Sequence, residues 1–183
     1  MLGSGAGRQS AQARQSRRVN LGNYRMTSIA RILAAGAALI AVAGSTAVAQ
    51  NYSLNPTYGT VALNGGFTPD PYVVNLQSGG NINAANISSS CRGFIADAPD
   101  VRLQWRSGSL PLIISVASGA DTTLVVNAPD GSWYCDDDGG VNGLNPAIRF
   151  NAPQSGQYDI WVGTYGNASL QPAQLNISEL YSQ

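Results

Sequence analysis

Past residue 50, no window of this 183-residue chain holds apolar residues at helical spacing. Short apolar runs recur instead, each fenced by Gly, Pro, Asn, Asp or Ser. Such a chain satisfies its backbone polar groups between strands and reverses direction at the fences. The runs predict strands over Gly59–Leu63, Tyr72–Leu76, Cys91–Ile95, Val101–Trp105, Leu112–Val116, Thr122–Asn127, Ala147–Phe150, Tyr158–Gly163 and Ala173–Leu180. Turn signals such as Asn64-Gly65-Gly66, Pro69-Asp70-Pro71 and Pro129-Asp130-Gly131 separate them, and the mostly polar or small Asn81–Ser90 reads as a loop. About eight or nine short strands at this spacing point to an all-β antiparallel sandwich.

Alternation assigns the faces. Tyr158, Ile160 and Val162 share one face of their strand, with Asp159 and Trp161 on the other. Val101, Leu103 and Trp105 form an inward set against outward Arg102, Gln104 and Arg106. Leu112-Ile113-Ile114 is apolar on both faces, as a central strand requires. Tyr158, two residues after Gly156 at a strand entrance, has the position of a corner tyrosine that bonds back to the backbone.

Residues 1–49 follow another pattern. Arg31 precedes an Ala-rich apolar run over Ile32–Ala43, followed by Gly44-Ser45-Thr46 and Ala47-Val48-Ala49. This is the layout of a cleavable signal peptide over 26–49, with Gln50 as the first mature residue. The apolar run is too short for a bilayer core that needs about 20 residues, so no stable membrane span is expected in the mature chain. Residues 1–25 hold five arginines and no acid, the composition of a basic disordered extension. They read either as an over-extended start upstream of Met26 or as a long n-region, in which Arg17-Arg18 raises a twin-arginine alternative. A periplasmic or secreted location follows from this leader.

Cleavage changes the charge. Residues 50–183 keep Arg92, Arg102, Arg106 and Arg149 against all ten acids, with neither Lys nor His. A lysine-free anionic surface excludes nucleic acid, whose affinity rests on cations at phosphates. Without imidazole or amine, the Ser-His-Asp, Cys-His and Ser-Lys arrangements are closed, and so are the usual zinc sites. One route stays open for an enzyme: a carboxylate pair of glycosidase type drawn from Glu179 and the aspartates. The expectation is a protein that is not an enzyme. Cys91 and Cys135, the only cysteines, read as a disulfide in an exported chain, the alternative being two free buried thiols. Closing that loop stabilises the fold by about 4 kcal/mol in the chain-entropy picture.

Two constellations are candidate sites. Asp136-Asp137-Asp138-Gly139-Gly140 sets three carboxylates in a row, which suits a hard cation. Asp121, Asp136 and Asp138 are the candidate calcium ligands, with Asn142 and Asn145 and backbone carbonyls nearby; the alternative is a solvated acidic loop held by Cys135. Trp133, Tyr134, Trp161 and Tyr165 form the second constellation. Exposed aromatics of this kind stack on sugars or bury into a protein partner, whereas aromatics covered by a loop are core.

The stretch from Cys91 to Glu179 resembles the bacterial pre-peptidase C-terminal domain. The carrying residues are Leu112–Val116, then Gly119-Ala120-Asp121-Thr122-Thr123-Leu124, Pro129-Asp130-Gly131, Cys135–Asp138, and Ala152-Pro153-Gln154-Ser155-Gly156-Gln157-Tyr158. The resemblance implies a jelly-roll-like sandwich acting as a non-catalytic accessory module beside secreted peptidases, sometimes with bound calcium. This chain departs from it in carrying no enzyme; without His, any peptidase label would be inherited from such neighbours. The leading expectation is an exported module that binds a protein or glycan. The second is a structural or surface-assembly protein that self-associates through strand edges, and a carboxylate-dependent hydrolase ranks last.

Overall fold

The computed structural model describes residues 50–183; the basic extension over 1–25 and the leader over 26–49 lie outside the described residues. Among the described residues eleven strands form two sheets. The first sheet holds β1 (Thr60–Asn64), β3 (Ile82–Asn83), β4 (Phe94–Ile95), β5 (Val101–Arg106), β7 (Thr122–Asn127), β8 (Trp133–Asp136) and β10 (Gly156–Thr164). The second runs β2 (Tyr72–Ser78), β11 (Gln171–Ser178), β6 (Leu112–Ser118) and β9 (Ala147–Phe150), in that spatial order. β10 organises the first sheet, pairing β5 along its first half and β7 along its second, with β8 beyond β7. Every pairing is antiparallel except β1 with β5, which is parallel.

The expected faces meet between the sheets. Leu103, Trp105, Leu124, Tyr158, Ile160 and Val162 pack against Leu112, Ile114, Val116, Leu175 and Ile177. β6 is the central strand expected, flanked by β11 and β9. Its outward Ile113 is also buried, in the region of the C-terminal residues Leu180–Ser182. Tyr158 is a corner tyrosine: its hydroxyl donates to the Gln154 carbonyl at 2.9 Å.

Two strands were not in the expected set. Trp133–Asp136 is a strand, although turn residues on both sides leave it only four residues long. Asn81–Ser90 contains β3 and one turn of 3-10 helix over Ala84–Asn86, capped by the Asn83 side chain. The segment from Ile82 to Ile95 lies across the outer face of the first sheet and creates a second, smaller core of Ala84, Cys91, Ile95, Val125 and Trp161. The Cys91–Cys135 disulfide, with its Cα atoms 5.1 Å apart, staples that segment to β8.

Candidate functional site

The outer face of the first sheet is built in rows, because residues paired across strands point to the same side. One row is apolar: Trp161, Val125 and Cys135 are register partners across β10, β7 and β8. Two residues along, the next row is polar: Arg102, Asp159, Asn127 and Trp133 are partners across β5, β10, β7 and β8. The Ile82–Ile95 segment covers the apolar row. That segment does not cover the polar row, whose Asn127, Asp159 and Trp133 line a groove of about 590 Å³ with Tyr52, Gln157 and Ser155; Asp159 and Asn127 are themselves buried in its floor.

The polar row is tied together. Arg102 Nε donates to Asp159 Oδ1 at 2.7 Å, and Gln157 Nε2 donates to Asp159 Oδ2 at 2.7 Å. Arg102 also donates to the carbonyls of Tyr52 and Leu54, at 3.1 Å for the second, and so holds the N-terminal segment over the groove. Gln104 Nε2 extends the network to Gln157 Oε1 at 3.0 Å. Asn127 Nδ2 donates to the Gly131 carbonyl at 3.2 Å, which fixes its amide. Another groove of about 520 Å³ crosses the second sheet beneath Tyr58, but it is lined by amides and small apolar residues without a charged group. The Tyr58 hydroxyl there is already engaged as acceptor for the Gln77 N–H at 2.9 Å.

The aromatic candidates do not form one surface. Trp161 is fully buried, which corrects the expectation that it faces a ligand. Alternation places it away from the inter-sheet core, but the Ile82–Ile95 segment supplies a second cover, and its indole N–H donates to the Asp97 carbonyl at 3.4 Å. Trp133 packs on it with ring centroids 5.4 Å apart and keeps one side in the groove. Tyr134, next on β8, points the other way, edge-on to Phe150 at 4.9 Å. Tyr165 is exposed beyond the far end of β10, where its N–H donates to the Asp121 carbonyl. Trp133 is the one candidate the groove retains; Tyr52, Asn127, Gln157 and Asp159 were missed. The alternation that sets Asp159 outward was legible, but its juxtaposition with Asn127 and Trp133 depends on strand order.

The acidic candidates are likewise divided. Asp136 is a turn clasp: its Oδ2 accepts the N–H of Gly139 at 2.7 Å and of Ala147 at 2.9 Å. Asn145 is buried and bridges Thr122 Oγ1 and the Ser118 carbonyl. Asp121 does lie near Asp137 and Asp138. Desolvation raises its carboxyl above the ordinary 3.8, and the charges of Asp138 and Asp137 raise it further. Among the described residues, however, no three carboxylate, His or Cys side chains converge as a metal set. Of the candidate calcium ligands, Asp121 and Asp138 lie near each other, while Asp136 Oδ2 is engaged in its turn. Glu179, the candidate partner in a carboxylate pair, is buried and accepts the Gly66 N–H at 2.5 Å.

The fold and this groove define a β-sandwich with an open polar cleft on one outer face. No family model matches the chain, and no curated protein matches it. Among solved structures, the chain is similar to the pre-peptidase C-terminal domain of collagenase from Bacillus anthracis, of the family its motifs resemble. That likeness has a TM-score of 0.40 at 15% identity, covering 68% of this chain and 100% of that one. The chain is also similar to Aeromonas hydrophila PliG, a periplasmic lysozyme inhibitor of g-type lysozyme, with a TM-score of 0.34 at 14% identity, covering 65% and 96%.

Proposed function

We propose that this chain is an exported, non-catalytic binding module that holds its ligand in the groove over Asp159. The observation that carries this reading is the groove walled by Tyr52 and Trp133 and floored by the buried Asp159 and Asn127, beside a neighbouring row that the chain itself covers. Preformed concave sites with a few fixed polar groups are where small ligands bind. The groove's carboxylate suits binding more than proton transfer. Asp159 is held by Arg102 and Gln157, and residues 50–183 contain no His or Lys to act beside it. Export is supported by the leader pattern together with the disulfide, which persists in oxidising compartments.

Amide chemical shifts of the purified protein test the reading. Addition of candidate ligands is expected to move the amides of Asn127–Trp133 and Ser155–Asp159 in a saturable way. Responses confined to the Tyr58 groove or to the acidic end would overturn it.

A further inference from the structure

We infer that the occupant of this groove is a neutral oligosaccharide segment, an inference that rests on the binding reading above. Four features of the site lead there. A sugar ring presents flat C–H faces rimmed by hydroxyls, and the half-buried Trp133 and the exposed Tyr52 supply flat faces for them. Between the rings the accessible polar groups are the half-buried Gln157 amide and the exposed Ser155 hydroxyl, set over an Asp159 that is only 2% exposed and held by Arg102 and Gln157. Asn127 spends its amide nitrogen on the Gly131 and Ser132 carbonyls, leaving its oxygen as an acceptor for a hydroxyl.

Charge then narrows the class. Arg102 is the one cation in the row, and its ion pair with Asp159 at 2.7 Å leaves the row near neutral. Among the described residues lining the groove, a phosphate, sulfate or uronate would find no free cation. The location on the sheet argues against an extended peptide, which takes its affinity from main-chain bonds to an open strand edge. The floor is β10 and β7, both paired on each side, and the edge strand β8 reaches the groove only through Trp133, so the floor offers side chains rather than a free backbone ladder.

The test is to titrate the purified protein with cellotetraose, chitotetraose and maltotetraose, with a heparin tetrasaccharide and a casein peptide digest as contrasts, reading amide shifts. At least one neutral tetrasaccharide is expected to move the Asn127–Trp133 and Ser155–Asp159 amides with saturation. Tyr52→Ala is expected to weaken that binding by about tenfold, and Tyr165→Ala, at the far end of β10, to leave it unchanged. Trp133→Ala should weaken it further, but Trp133 covers Trp161, so the half-exposed Tyr52 carries the test if that variant does not fold. Groove shifts with casein peptides alone, or a stronger response to heparin, would overturn the saccharide assignment and leave the binding reading standing. Sugar-dependent shifts confined to another surface would also overturn the assignment. If no probe moves the groove amides, both fall.

Discussion

Asp100 sits just before β5, almost fully buried, with its Oδ2 accepting the Val162 N–H at 2.7 Å. Burial pushes its carboxyl from 3.8 up to about 7, a rise that the Val162 hydrogen bond only partly offsets. A folded value above the unfolded one means that the native state binds the extra proton between the two. Stability is therefore fully present below about pH 4, falls as pH rises, and levels off above about pH 7, with a ceiling near 4 kcal/mol on the loss. Asp100→Asn, which keeps an oxygen for Val162, is expected to flatten that slope in denaturant melts taken across the range. Tyr158 makes a smaller contribution. Burial raises its phenol to about 12, and Tyr158→Phe removes the bond to Gln154, lowering stability by about 1 kcal/mol in the same assay.

At the scale of elements, the Ile82–Ile95 segment and its disulfide decide what the outer face becomes. Trp161→Ala would leave a cavity under that segment and is expected to cost about 3 to 5 kcal/mol in urea melts. It should not act as a clean loss of ligand. Replacing both Cys91 and Cys135 with Ser is expected to cost about 4 kcal/mol. Loosening the cover should also shift the tryptophan emission to the red, since Trp161 and Trp133 stack beneath it. An unchanged emission maximum would show that the cover holds without the staple. The strand set was largely legible here. Thr122–Asn127 and Ala147–Phe150 stand at their expected bounds, and most other strands differ by one or two residues at an end. β8 was not legible, because Trp133-Tyr134-Cys135-Asp136 is too short to show an alternation of its own and gains strand geometry from its ladder to β7.

At the scale of the molecule, one end of the sandwich gathers carboxylates. Asp137 and Asp138, just after β8, lie near enough to Asp121, just before β7, that their charges raise its carboxyl. Cations should relieve that repulsion without a built cage. The melting temperature is therefore expected to rise by only a few degrees when EDTA is replaced by millimolar CaCl₂, and equally with MgCl₂. A large shift specific to calcium would show that the Asp136 clasp opens to supply a ligand. Self-association through the second sheet has an obstacle at β2, where Tyr58 occupies the outward N–H of Gln77. Sedimentation at micromolar concentration is expected to report a monomer.

Residue order by itself determined the all-β class, the inward faces of β5 and β10, the corner tyrosine, the cysteine pair and the lack of groups for imidazole or amine chemistry. These follow from local periodicity, turn chemistry and composition, which need no partner strand to be read. Tertiary structure decided what lies over each outward residue. Trp161 and Asp159 are neighbours with opposite strand parity to the core set, yet one lies under a stapled segment and the other floors a groove. It also set Asp159 beside Asn127 and Arg102, residues 32 and 57 positions away, because β10 happens to lie between β7 and β5. Alternation tells which way a side chain points; only the packing of the remaining chain tells what it points into.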